Sequence, residues 1–146
     1  MKFMIVGKGN AETEAGVLPD PAYVEAMVEY NESLAKAGVL LAAEGLHPSS
    51  KGARIAYRGG RPTVLDGPFT ESKELIAGFW IIQVRSREEA VEWALRLPVP
   101  PGCPDGVALE LWEVFDVADL PQSSLSPETA ARQQAVRESL ERDSGT

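Results

Sequence analysis

Apolar and polar positions change their period several times along the chain, and each change marks an element. Lys2 to Gly7 (KFMIVG) is a short, mostly apolar run that predicts a buried strand, and a Gly- and Glu-containing loop follows it through Leu18. The period then becomes helical. Tyr23, Met27, Tyr30 and Leu34 recur at helical spacing, Asp20 suits an N-cap, Pro21 suits the first turn, and Gly38 ends the run. Glu25, Glu29, Glu32 and Lys36 fall on the other side and predict a solvated face. Val39 to Leu46 reads as a second strand, broken by Pro48-Ser49-Ser50-Lys51-Gly52. Next, Ala53 to Arg58 and Arg61 to Leu65 flank Gly59-Gly60, a two-residue connection suited to a hairpin with positive φ at both turn positions.

Ile76 to Val84 (IAGFWIIQV) is rich in β-branched and aromatic residues and predicts a central strand. A second helix is expected from Ser86, which with Glu89 forms a capping box, and its apolar stripe of Ala90, Val91, Ala94 and Leu97 stops at Pro98. The segment PVPPGCPDG reads as loop, and Val107 to Phe115, partly alternating, as the final strand. The order is β-α-β, an inserted hairpin, then β-α-β. Two such units sharing one sheet give a ferredoxin-like α+β sandwich with both helices on one face. The other face of Ile76 to Val84 is apolar as well, with Phe79 and Ile81 opposing Ile76, Trp80 and Ile82. A second layer is needed there, and a homodimer packing sheet on sheet supplies it. Residues 1–120 are therefore expected to form the domain, and 121–146 a polar tail, mobile or helical, whose Val136 and Leu140 make only a thin apolar stripe.

Composition narrows the function classes. With 146 residues, 44% of them hydrophobic and 25% charged, the chain suffices for one well-packed core. A formal net charge of −8 without a basic patch argues against nucleic acid as a partner. The N-terminal apolar run is too short for a signal peptide, and no apolar stretch is long enough to span a membrane, so a soluble cytoplasmic protein is expected. Cys103 is the single cysteine, which fits a reducing compartment, and no neighbouring His activates it. One His, one Cys and scattered carboxylates do not make a metal site, and neither a metal nor an organic cofactor is expected. Gly7 and Gly9 lack the third glycine and the following helix of a dinucleotide fingerprint, and Ser49-Ser50-Lys51-Gly52 lacks the spacing of a phosphate loop.

The candidate chemistry centres on two places. His47, the only histidine, closes the second strand in AAEGLHPSS, with the small Ala43 and Gly45 on its face leaving room for a small-molecule ligand. By strict alternation Val39 and Leu41 share that face too. Alone at a strand end, His47 reads first as a surface or packing residue and second as a functional one. Asp66, Gly67, Pro68 and Phe69 interrupt the chain between hairpin and central strand. Gly67 and Pro68 suit a turn, and Asp66 can be satisfied by nearby amides. If the hairpin returns Asp66 toward His47, the acid orients the imidazole as a general base working near neutral pH, with Phe69 at the lip of the cleft. Trp80 reads first as core or dimer interface and second as a substrate platform. Glu71 and Lys73 read as a solvated turn.

The stretches AGVLLAAEGLHPSSKGARI, VLDGPFTESKELIAGFWIIQV and SREEAVEWALRLP together resemble the YCII-related family in its DGPF-motif branch, over about residues 1–117. The resemblance implies a dimeric ferredoxin-like α/β barrel, shared with muconolactone isomerases and small monooxygenases, and a His-Asp pair in a cleft. Asp66 matches the motif aspartate and His47 stands in the EGL-H-P segment. The function expected is cofactor-independent acid/base chemistry, such as isomerisation or elimination, on a small molecule, with Phe69, Gly45, Ala43 and Trp80 contacting substrate. The alternative is a non-catalytic dimeric metabolite-binding or regulatory module.

Overall fold

A computed structural model of the chain describes residues 1–70, 74–99 and 105–144. Cys103, Glu71 and Lys73 lie outside the described residues. The chain divides into two units, Met1–Glu113 and Val114–Thr146.

In the first unit, β1 (Lys2–Lys8), β2 (Leu40–Gly45), β5 (Ile76–Gln83) and β6 (Leu109–Glu113) form one antiparallel sheet in the order β2-β5-β1-β6. Helix α2 (Pro21–Lys36) connects β1 to β2 and α3 (Arg87–Leu95) connects β5 to β6, so each helix links strands separated by one neighbour. This mixed α/β architecture with antiparallel sheets is compatible with the ferredoxin-like α+β fold. The strands β3 (Ala53–Arg58) and β4 (Arg61–Asp66) pair only with each other, and Gly59 and Gly60 carry φ values of +57° and +78°, as a primed hairpin turn demands.

Local sequence accounts for most element ends. Asp20 caps α2 by accepting from the Tyr23 N–H at 2.8 Å, and Gly38, at φ +74°, follows its C-terminus. Ser86 Oγ accepts from the Glu89 N–H at 3.1 Å, while the Glu89 carboxylate takes the Arg85 N–H rather than that of Ser86. A short helix α1 (Ala11–Glu14) occupies part of the expected loop, because Asn10 and Thr13 satisfy each other's backbone amides.

The core lies between the sheet and the helices, where Phe3, Ile5, Trp80 and Ile82 meet Tyr30 and Leu34 of α2 and Ala90 and Trp93 of α3. A bulge between Leu40 and Ala42 shifts the β2 register, so Leu40, Ala43 and Gly45 share the helix side and Leu41 is half exposed. That corrects the strict alternation expected from Val39 onward: two residues of β2 oppose one of β5 at that point. On the opposite side of the sheet Met4 stands between Ile81 and Trp112, and Val6 is paired with Phe79. Trp112 is 57% exposed.

Tyr30 ties α2 to α3. Its hydroxyl donates to the Trp93 carbonyl at 2.7 Å, and its ring meets Trp80 and Trp93 edge-on at 6.3 and 6.4 Å. Burial pushes the phenol up from 10.0 to about 12, with Arg96 acting weakly the other way. The protonated form is thus the one favoured by folding, so this contribution is complete below pH 10 and is lost as pH rises through about 12. Tyr30→Phe is expected to cost about 1 kcal/mol at pH 7, because Trp93 retains its Arg96 N–H donor. Urea unfolding at pH 7 and pH 11 checks this: the gap between the two proteins should narrow at the higher pH.

The second unit contains α4 (Pro127–Ser144), with no buried residue and with Val136 and Leu140 exposed. Arg137 stands 3.7 Å from Asp116 within it. Among the described residues no helix is long and apolar enough to cross a membrane.

Candidate functional site

The strand register builds a cavity. On the helix side, successive cross-strand rows read Leu40-Ile82-Phe3, then Ala43-Trp80-Ile5-Leu111, then Gly45-Gly78-Gly7-Leu109. Two rows carry bulky side chains that fill the space beneath the helices. The third has three glycines abreast, which removes three side chains from the layer at one end of the sheet. The space left measures about 950 Å³. Its floor is the glycine row, and its helical wall is Tyr23, Met27 and Asn31, one turn apart along α2. Leu97, Val99 and Val107 close another side, and residues from Asn10 to Leu18 form part of the rim.

His47 lies on this rim, just past the end of β2, where the Leu46 N–H still bonds the Ala77 carbonyl at 2.8 Å. Pro48 restricts the His47 backbone to extended conformations, which favours holding the imidazole at the mouth. The side chain is exposed and makes no hydrogen bond among the described residues. Ala43, Gly45 and Trp80 also line the cavity, Trp80 while belonging to the core.

Asp66 and Phe69 are placed differently from the expectation. Asp66 ends the hairpin opposite Ala53, exposed, and the Gly67 N–H continues the ladder by donating to the Gly52 carbonyl at 3.0 Å. That bond keeps the chain in hairpin register through Asp66, so no hydrogen bond joins Asp66 to His47, and neither Asp66 nor Phe69 is among the described residues lining the cavity. The Phe69 N–H donates to Ser49 Oγ at 2.9 Å, and the Arg54 guanidinium sits 4.0 Å from the Phe69 ring centre. Ser49 in turn donates from its N–H at 2.9 Å and its hydroxyl at 2.5 Å to the two oxygens of Glu14. The Ser49 hydroxyl, and after it the Ser49 amide, hold the Glu14 carboxyl below its ordinary value. The Asp-Gly-Pro-Phe turn, the Ser49 turn and α1 are thus stitched together beside the rim.

The pattern defining the YCII-related domain matches residues 1–112, which include every strand of the main sheet except the last residue of β6, both helices that cover it, and the cavity. The chain belongs to the YCII-related family. It is also 37% identical over 59 residues to an uncharacterised protein of Rhizobium meliloti (strain 1021), a match covering 40% of this chain and 48% of that protein. The chain therefore spans about half the length of the curated relative it matches.

Within this YCII-related domain the cavity offers an apolar interior with few polar groups, the usual make-up of a small-molecule site. Among the described residues no three His, Cys, Asp or Glu side chains converge in a way that could hold a metal ion. Gly7, Gly78 and Asn31 are among the lining positions that the sequence analysis did not assign to a site. The signal was present as a glycine near the same end of three strands, in KFMIVG, LLAAEG and IAGFW, and required the register to be read.

Proposed function

We propose that this YCII-related protein, of the DGPF-motif branch, is a small-molecule acid/base enzyme whose substrate enters the glycine-floored cavity and whose proton-moving group is His47. The carrying observation is that the only histidine stands on the rim of that cavity. An imidazole at that position can remove a proton from a bound substrate and return it elsewhere, as isomerisation or elimination requires. The reading invokes no metal or organic cofactor. It includes a homodimer of the dimeric α/β-barrel type, in which the Met4, Ile81 and Trp112 side of the sheet meets a second copy.

The test follows hydrogen exchange in D₂O on a panel of ketones, lactones and oxo acids, since proton abstraction next to a carbonyl exchanges hydrogen whatever the product. His47→Ala is expected to lower protein-dependent exchange about 100-fold or more. Asp66→Asn, which removes no bond to His47, is expected to stay within about threefold of wild type. Exchange that persists in His47→Ala sinks the assignment of the base. Absence of exchange across the panel favours the second reading, a non-catalytic metabolite-binding module, which the exposed and unoriented His47 supports.

A further inference from the structure

We propose that Asn31 is the polar anchor of the cavity, and that its amide nitrogen selects a neutral carbonyl compound with an apolar body. The inference rests on the cavity being a ligand site. Helix α2 sets Asn31 on the cavity wall one turn beyond Met27, and Trp80 Nε1 donates to Asn31 Oδ1 at 2.8 Å. An indole N–H is a donor only, so the amide atom facing it must be the oxygen. Chemistry therefore fixes which way the amide is turned, and both N–H bonds of Nδ2 project away from Trp80. Asn31 makes no other hydrogen bond among the described residues, and no fully buried side-chain nitrogen or oxygen there lacks a partner. It follows that Nδ2 is accessible, with two donor hydrogens on a wall shared with Met27 and Trp80.

A pair of donors on an apolar wall calls for an acceptor oxygen, because an apolar ligand would leave them dry and unpaired. The surrounding charge decides between carbonyl and carboxylate. Glu12, Asp20 and Asp105 line the same cavity against one unpaired cation among its described lining residues, Lys51, while Lys8 is paired with Glu110 at 3.1 Å. Carboxylates outnumber free cations at the mouth, and an anionic ligand would be repelled where a neutral carbonyl is not. Three abreast glycines give a flat floor, which suits a planar body.

The experiment titrates the full chain with acetophenone, a neutral acceptor, and with benzylamine, a cationic donor, and follows ¹H-¹⁵N spectra. Asn31→Asp keeps an oxygen for the Trp80 indole but replaces both donors with an acceptor. Acetophenone is expected to shift the Asn31 Nδ2 protons and the Trp80 indole N–H saturably, and to bind Asn31→Asp at least tenfold more weakly, while benzylamine gains. Equal acetophenone affinity in the two proteins overturns the proposal. So do shifts at the Gly7, Gly45 and Gly78 amides that leave Asn31 untouched, an outcome that preserves the cavity as a ligand site. If neither probe moves any cavity resonance, this proposal and the cavity reading fall together. Should the variant not fold, the wild-type shifts at Asn31 decide the matter alone.

Discussion

Gly67→Ala is expected to destabilise the protein by about 3 kcal/mol, the largest stability effect foreseen for a single methyl in this chain. A Cβ at Gly67 would stand 1.8 Å from the Ser49 carbonyl oxygen and 2.6 Å from its carbon. Both are backbone atoms, so no rotamer change relieves the overlap. Nor can the Ser49 turn step back freely, because it is held to Glu14 by two hydrogen bonds and to Phe69 by a third. Relief must therefore break part of this network or the Gly67–Gly52 ladder bond. Gly52→Ala is the natural control: its Cβ would lie 3.5 Å from the same carbonyl, an ordinary contact, and should cost less than about 1 kcal/mol. Urea unfolding of both variants measures the contrast, and a Gly67→Ala midpoint close to wild type would contradict the packing described. The glycine of the Asp-Gly-Pro-Phe motif is thus accounted for by close approach of two backbones beside the rim.

What could be read from sequence was what the chain decides locally. The Asp20 cap, the Tyr23-Met27-Tyr30-Leu34 stripe and the Gly59-Gly60 turn each depend on residues a few positions apart, and all three stand as expected. The β2 bulge and the glycine row depend on which strands pair and in what register, which no single strand records. His47, Ala43, Gly45 and Trp80 can be singled out because space and chemistry are visible along one strand at a time, and all four line the cavity, while their part in any chemistry belongs to the proposal. Asn31 was passed over as one more helical residue, since its meaning arises only from a tryptophan 49 positions later. Asp66 failed to meet His47 for the same reason in reverse: the pairing required the hairpin to release Asp66, and the Gly67–Gly52 bond keeps it in the ladder.

Gly45→Val is expected to raise stability and abolish ligand uptake together. Gly45 sits in β2 with no positive φ, and nothing lies within 4 Å of a Cβ built on it, so valine enters open space without strain. Extended backbone at this last residue of β2 loses less conformational freedom with valine than with glycine, which should add about 0.5 kcal/mol. The new side chain projects over the floor, beside Gly78, and occupies the room the three glycines leave. Acetophenone affinity should fall at least tenfold, about 1.4 kcal/mol. Gly78→Val behaves differently, because its Cβ would press within 3.0 Å of the Glu44 carbonyl oxygen and lower stability as well. Thermal denaturation beside acetophenone titration separates the cases. A void left by poor packing would be improved by filling and nothing else would change, whereas a ligand site is improved in stability and lost in function by the same valine. Unaltered binding in a stabilised Gly45→Val protein would move the ligand site away from the glycine floor, and with it the roles assigned to His47 and Asn31.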